Sequence, residues 1–173
     1  MAKLISGTRV YGNATIDGNL TVSGTAGITM PNCPAFRVYG TGGTIGLNAN
    51  LTSSNWTVDY TQGNAASFLS NSSGTFTAPV AGLYSTTLTA RTTSNANGGI
   101  IQAVIRQYKA GTPSIAMMIE WGSNTTFNHA SGGTTVKLAV GDSLVVQCLA
   151  NGSPGGTGFS FDGNDHWDVT YLG

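Results

Sequence analysis

The sequence is short of charge. Charged residues make up 8% of its 173 residues, whereas soluble proteins average about 25%. Seven basic residues balance seven acidic ones, so a basic cluster for phosphates or anionic lipids is not available. We therefore expect no nucleic-acid partner and no electrostatic docking to membranes, and solubility must come from Thr, Ser, Asn and Gly.

Long apolar runs are also missing. No stretch approaches the roughly 20 consecutive apolar residues of a membrane-spanning helix. Residues 1–9 have no sustained apolar segment of the kind found in a secretory signal. We expect no membrane insertion, and we expect the protein to be made and assembled in a cytoplasm.

Cysteines and helix signals are scarce. Cys33 and Cys148 are too few for a disulfide scaffold, and sequence alone leaves open whether they pair, because pairing depends on geometry. Cys148 lies in an alternating apolar segment and is expected to be a buried small side chain. Helical apolar spacing with caps is absent, and Thr, Val, Ile, Tyr and Phe segments broken by Gly and Asn predict an all-β protein.

The N-terminal segment carries a six-residue repeat with units that begin at Gly12, Gly18 and Gly24. Apolar residues alternate with Thr or Gly inside each unit, so they share one face of an extended strand. So few units cannot bury this face within one chain, whereas three chains around one axis could. Residues 1–33 are therefore predicted to form a trimeric β-repeat shaft and docking segment; a flexible linker is the alternative. The predicted shaft core consists of Ile16, Leu20, Val22 and Ile28.

Residues 34–173 are predicted to form a separate head domain. Alternating segments bounded by turn residues predict ten strands: 35–39, 56–60, 74–77, 82–91, 101–105, 115–121, 134–138, 144–149, 159–161 and 167–171. The apolar run 115–121 predicts a strand that is covered on both faces. Many short strands at nearly even spacing indicate a sandwich or barrel.

Three segments of the head resemble the complement globular-head and tumour-necrosis-factor-like family. Gly74–Tyr84 carries a Gly-x-Phe-x-x-Pro-x-x-Gly-x-Tyr arrangement, Val136–Leu144 is similar to the family's Leu-x-x-Gly-Asp strand pair, and Phe159–Tyr171 resembles its last two strands. The resemblance implies a ten-strand antiparallel jelly-roll sandwich, a homotrimer and a head that follows a fibrous stem. Thr86 and Leu88 occupy positions that are aromatic in the family, so part of the core packing is expected to differ.

Short Gly-Asn-x-Thr-(Ile/Val) repeats before a small β head also resemble the fibres and surface knobs of tailed bacteriophages. This resemblance implies a non-enzymatic protein of the virion surface, a short fibre or knob that binds a host-cell glycan or protein. The alternative is a capsid decoration or cement trimer that stabilises the shell. In either case the N-terminal segment would contact other virion proteins, in the tail or the capsid.

Strand direction gives a predicted binding tip. If the seven C-terminal strands alternate in direction, three turns meet at the end far from the shaft, and Trp121 lies nearer the shaft. Loops on a rigid scaffold often carry function. The predicted receptor-binding residues in these turns are Lys109, Thr112, Asp142, Asp162, Asn164 and Asp165.

The chemistry of a catalytic or metal site is not evident in the sequence. Asp162 and Asp165 could contribute oxygen ligands to Ca²⁺, but Asp-Gly-Asn-Asp is also an ordinary hairpin turn. We therefore predict that the protein binds no metal ion and no cofactor. His129 and His166 are expected to be polar loop or strand residues. The sequence shows no nucleophile elbow and no phosphate-binding loop, so the protein is not expected to be an enzyme.

Overall fold

The structure is a sandwich of two antiparallel β-sheets. A computed structural model describes residues 33–63, 73–92, 99–122, 128–152 and 158–173. Apart from a short 3-10 turn at Ser53–Asn55, the elements in these ranges are strands, and none of the described segments forms a helix suited to crossing a bilayer. The strands are β1 (Ala35–Gly40), β2 (Thr44–Gly46), β3 (Trp56–Gln62), β4 (Thr75–Thr77), β5 (Gly82–Thr92), β6 (Gly99–Lys109), β7 (Thr112–Trp121), β8 (His129–Leu138), β9 (Ser143–Gly152), β10 (Gly158–Ser160) and β11 (His166–Tyr171).

The larger sheet contains seven strands and the smaller sheet contains four. The large sheet runs β2-β10-β5-β11-β1-β3, and β8 pairs with the other edge of β5. The small sheet runs β4-β9-β6-β7. This arrangement confirms the predicted all-β jelly-roll class.

The core lies between the two sheets and is rich in aromatic side chains. Trp167 and Phe36 are fully buried, with ring centroids 5.2 Å apart in an edge-to-face arrangement. Trp56 is also buried and contacts Trp167 edge-on. Cys148 is fully buried, as predicted. Phe36 also contacts Phe76 of the small sheet, with ring centroids 5.6 Å apart, so aromatic packing joins the two sheets without a disulfide between Cys148 and Cys33.

The Gly-x-Phe-x-x-Pro-x-x-Gly-x-Tyr segment has a physical explanation in this packing. Phe76 and Tyr84 face each other across the core with ring centroids 5.6 Å apart, and the Tyr84 hydroxyl donates to the carbonyl of Val80 at 2.6 Å. Gly74 has φ +67°, and a Cβ there would lie 1.9 Å from a backbone oxygen. A Cβ at Gly82 would lie 2.5 Å from a ring carbon of Tyr171. Both glycines are therefore required by close backbone packing.

One strand was not predicted, which brings the count to eleven in the described ranges. β2 has three residues, with only Ile45 buried, and it pairs with β10. A single buried side chain between glycines gives no alternation to detect, so the predicted count of ten was too low by one.

The prediction that strand 115–121 is covered on both faces is wrong. β7 lies at the edge of the small sheet, and Met117 and Ile119 face the core while Ile115 and Met118 are 48% and 47% exposed. The register between β6 and β7 shifts after Ile105. This bulge on an edge strand allows an apolar run to occur with one face in solvent.

The direction of the last two strands also differs from the sequence prediction. β10 and β11 both pair antiparallel with β5, through Phe159–Thr92 and Trp167–Leu88. They therefore run in the same direction, and residues 161–165 form an excursion between them and not a hairpin. Every strand direction that was counted back from β11 through that hairpin is consequently reversed.

Candidate binding surface

The strand registers define two ends of the sandwich. The entry end holds Pro34, whose carbonyl accepts from the backbone N–H of Tyr171 at 3.0 Å, and also the paired residues Gly82 and Leu138. The far end holds the pair Arg91–His129 and the residues 162–165. The six predicted tip residues are divided between these two ends.

Lys109, Thr112 and Asp142 lie at the entry end, which corrects the prediction that they form a tip away from the shaft. The Asp142 carboxylate accepts from the backbone N–H of Ala139 at 2.9 Å and of Ala110 at 3.1 Å. These two hydrogen bonds hold the pKa of Asp142 below its usual range. Asp142 therefore joins two turns and braces this end of the head.

Asp162, Asn164 and Asp165 do lie at the far end, but only part of this turn is accessible. Asn164 is exposed, whereas Asp165 is fully buried. The Oδ2 atom of Asp165 accepts from the backbone N–H of Asp162 at 2.9 Å, and its backbone oxygen accepts from the N–H of Gly40 at 3.1 Å. Asp165 thus shapes the turn from inside and cannot contact a receptor directly.

A guanidinium group and an imidazole ring face the carboxylates of this turn. Arg91 forms an ion pair with Asp162, and Nδ1 of His129 lies 3.3 Å from Oδ1 of Asp165. Burial raises the pKa of Asp165. In the described ranges, no cluster of three or more His, Cys, Asp or Glu residues could hold a metal ion, and the positions beside these two acids are taken by side chains of the protein itself.

A row of interacting side chains crosses the outer face of the large sheet, the face that points away from the core. The Arg37 guanidinium lies 6.0 Å from the centre of the Tyr60 ring and forms an ion pair with Asp168. Thr87 donates to Asp168 at 3.0 Å. The row ends at Gly133, where a Cβ would lie 2.9 Å from the Thr87 methyl group. Arg37 and Asp168 therefore neutralise each other within one chain, whereas Lys137 is exposed on the same face, opposite Leu83.

A hollow of about 460 Å³ lies beside this row. It is lined by Thr87, Thr89, Ser131, Gly132, Gly133 and His166. The imidazole of His166 forms one wall, with Nε2 3.5 Å from Oδ2 of Asp168 and the Tyr39 ring edge-on at 6.5 Å. The face thus has a flat floor of hydroxyl groups and glycines next to a raised border of larger side chains.

Sequence reasoning did not find this outer face. Its members alternate with core residues along β1, β5 and β11, so the period-2 pattern contained the signal. What the pattern could not give was the cross-strand register that sets Arg37 opposite Asp168. Both histidines begin a strand and face a carboxylate, which refines the expectation that they are polar loop or strand residues.

The predicted shaft core, Ile16, Leu20, Val22 and Ile28, lies outside the described residues, as does most of the 1–33 segment. The shaft and its trimeric association therefore stay predictions.

Several solved structures are similar to this one. The globular domain of zebrafish complement 1qA protein has a TM-score of 0.59 at 18% identity, over 81% of this chain and 98% of that chain. Eiger TNF from S. frugiperda gives 0.58 at 12%, over 82% and 93%, and murine APRIL gives 0.61 at 11%, over 81% and 99%. No protein-family model and no curated protein matches the sequence. The chain accordingly has the fold of complement globular heads and tumour-necrosis-factor-like heads.

Proposed function

We propose that this chain is the subunit of a homotrimeric, non-enzymatic attachment protein that binds a host-surface glycan or protein and is carried on a virion. Its N-terminal segment would join the head to other virion proteins in the tail or capsid. The observation that carries the proposal is the outer face of the large sheet, where Arg37 and Asp168 pair within the chain beside a hollow lined by small side chains, next to an edge strand that is itself exposed.

The edge strand β3 supports association with further copies. Trp56 is buried, but every residue from Thr57 to Gln62 is exposed. Burial within one chain therefore contributes little to the stability of this strand. A neighbouring copy that covered β3 with its own outer face would use two different surfaces of the same chain. Such a heterologous contact closes into a ring when the rotation is suitable. The resemblance to complement globular heads, which implies a homotrimer, favours a ring of three copies.

The neutralised charges on the outer face fit the same role. Arg37 and Asp168 satisfy each other within the chain, so covering them with another copy does not leave an unpaired charge. Small residues in the hollow leave room for larger side chains from a neighbouring β1 or β3.

The far end is the better candidate for receptor contact. It lies opposite the end where residue 34 enters the head, so it would point away from a shaft. Asn164, Gly163 and Thr41 are exposed there, on a scaffold fixed by the backbone hydrogen bonds of Gly40 and Gly42. Three such ends on one particle would raise a weak single-site affinity by multivalency.

The oligomeric state tests the first half of the proposal. Light scattering after gel filtration should give about 53 kDa for three chains of 17.7 kDa. Ser131→Arg, which places a long cation in the hollow, should lower the mass toward one chain. Thr77→Arg is the matched control, because Thr77 is an exposed hydroxyl residue of the small sheet and its substitution should leave the trimer intact. A monomeric wild-type protein would refute the assembly.

Cell binding tests the second half. Labelled protein should bind host cells, soluble glycans or receptor ectodomains should compete, and Asn164→Arg should abolish binding. Lys109→Ala and Thr112→Ala at the entry end should leave binding unchanged. If these two variants lose cell binding and Asn164→Arg retains it, the far end is not the receptor-binding surface. Imaging of labelled protein on particles separates attachment, with few copies at a tail, from shell decoration, with many copies on a capsid.

A further inference from the structure

Two leucines at the entry end are held in solvent by a rigid backbone. Leu83 is 45% exposed and Leu172 is 57% exposed. The N–H of Leu172 donates to the carbonyl of Leu83 at 2.8 Å, and the N–H of Leu83 donates to the carbonyl of Gly173 at 2.7 Å. Their exposure is therefore set by the sheet and not by fraying. We call Leu83 and Leu172 the leucine pair.

Both side chains of the leucine pair lie on the outer face of the large sheet. Tyr84 and Tyr171, their neighbours in sequence, point inward, with ring centroids 5.3 Å apart. Successive side chains in a strand point to opposite faces, so Leu83 and Leu172 share the outward face. Farther along the same face the exposed residues are mostly polar, and Thr87 is the next exposed residue of β5. The pair is thus an apolar spot at one end of a polar surface.

The N-terminal segment enters the head beside this spot. Pro34 is bonded to Tyr171, so it lies one strand from Leu172 and two strands from Leu83. Strands are about 4.8 Å apart, which puts the more distant leucine roughly 10 Å from the entry point. The six residues from Pro34 back to Ile28 reach at most about 20 Å, so Ile28 can reach both leucines.

We infer that residues 10–32 of this chain dock on the leucine pair and cover it with the apolar face of their six-residue repeat. The repeat presents two apolar residues of each six-residue unit on one face and cannot bury that face alone, while the leucine pair offers exposed apolar surface within its reach. Contact between the two removes apolar area from water on both sides. The docking fixes the direction in which the segment leaves the head.

Photo-crosslinking in the full chain tests this inference directly. Arg9 and Arg37 are consecutive tryptic sites, so residues 10–37 form a single tryptic peptide. With p-benzoylphenylalanine in place of Leu83, the main crosslink should join the peptide 38–91 to the peptide 10–37. The same probe at Ile115, which is similarly exposed at 48% but lies on the small sheet, should not label the peptide 10–37.

Hydrogen exchange gives a second measurement on the folded protein. The double variant Leu83→Ser/Leu172→Ser should increase amide exchange in residues 14–28 by about tenfold. The control Ile115→Ser/Met118→Ser removes similar apolar area from the small sheet and should leave that exchange unchanged. Crosslinks from position 83 that join only head peptides, with equal exchange in both double variants, would overturn the docking and point to a second copy on the leucine pair. Because neither readout depends on cell binding or on trimer mass, failure of the proposed function would be seen separately.

Discussion

Asp165 should make the stability of the head depend on pH in a sense opposite to that of most carboxylates. Its side chain is fully buried, and Oδ1 is without a hydrogen bond in the described part of the molecule. Burial raises the pKa of Asp165 above its usual value. The folded state therefore binds the proton more tightly than the unfolded state, where a free aspartate titrates near 3.9.

The sign of the effect follows from this difference. The favourable contribution of protonated Asp165 is fully present below the unfolded pKa and is lost as pH rises through the folded pKa. Each unit by which the folded pKa exceeds the unfolded one corresponds to about 1.4 kcal/mol. Asp165→Asn keeps an acceptor oxygen for the Asp162 N–H but removes the charge, so its stability relative to wild type should increase as pH rises above the unfolded pKa and level off above the folded pKa.

Urea unfolding followed by tryptophan fluorescence at fixed protein concentration measures this difference at pH 4, 5, 6 and 7. The comparison should be repeated in a His129→Gln background, because that imidazole lies 3.3 Å from the carboxylate. Asp165→Ala, which removes the acceptor as well, should be less stable than Asp165→Asn by about 1–3 kcal/mol at every pH. A free-energy difference between wild type and Asp165→Asn that is constant from pH 4 to 7 would refute the reasoning.

Three other predictions concern buried groups. Gly74→Ala should lower the melting temperature by several degrees, because a Cβ there meets a backbone oxygen at 1.9 Å and φ is +67°, a strain of about 1–3 kcal/mol. Thr86→Val should cost about 1–3 kcal/mol in urea unfolding, since the Trp167 indole N–H loses its acceptor at 3.0 Å. Burial raises the pKa of Cys148 to about 11, so a thiol reagent at pH 8 should label Cys33 alone until denaturant is added.

Controls for these three measurements lie close to each site. Gly163→Ala tests the glycine result, because a Cβ there meets nothing within 4 Å and the melting temperature should change little. Thr87→Val removes an exposed hydroxyl next to the buried one and should cost less than Thr86→Val. Equal costs for the two threonine variants would contradict the role assigned to burial. Labelling of both cysteines in native protein would contradict the burial of Cys148.

Much of the sandwich was predictable because its strands have one buried face. β5 alternates core and surface residues from Tyr84 to Thr92, and β9 buries Leu144, Val146 and Cys148. Such alternation is a local property that sequence displays. The glycines of the Gly74–Gly82 segment could also be predicted to be structurally important from the sequence motif. In the structure, each of the two glycines lies too close to neighbouring atoms for a Cβ.

Thr86 departs from the family pattern that the sequence otherwise resembles, and the structure explains why a threonine is suitable there. The family that the sequence resembles has an aromatic side chain at this position, and the packing was expected to differ here. The Thr86 hydroxyl instead accepts from the indole of Trp167 and donates to the carbonyl of Asp168 at 2.9 Å. A polar residue at a core position thus satisfies two buried polar groups, which sequence pattern alone would score as a mismatch.

The candidate site was predicted less well than the fold, because it depends on non-local direction. The excursion at residues 161–165 looks like a hairpin turn in sequence, with Asp-Gly-Asn-Asp between two apolar segments. Only pairing with β5 reveals that β10 and β11 run the same way. That one reversal moved Lys109, Thr112 and Asp142 to the entry end and Trp121 to the far end.

The free edges of the two sheets indicate how copies of this head avoid indiscriminate pairing. β3 carries an extra residue, Asp59, between the pairs Arg37–Tyr60 and Val38–Val58, and β7 carries Ala116 as an extra residue opposite the step from Ile105 to Arg106. Bulges and exposed charges on an edge strand disfavour edge-to-edge extension of a sheet. Of the long edge strands, β3 and β7 are therefore poor templates for a further strand, although their residues are exposed. For the proposed trimer, this favours a contact through the outer face of the large sheet, and such a heterologous contact closes into a ring where the rotation suits.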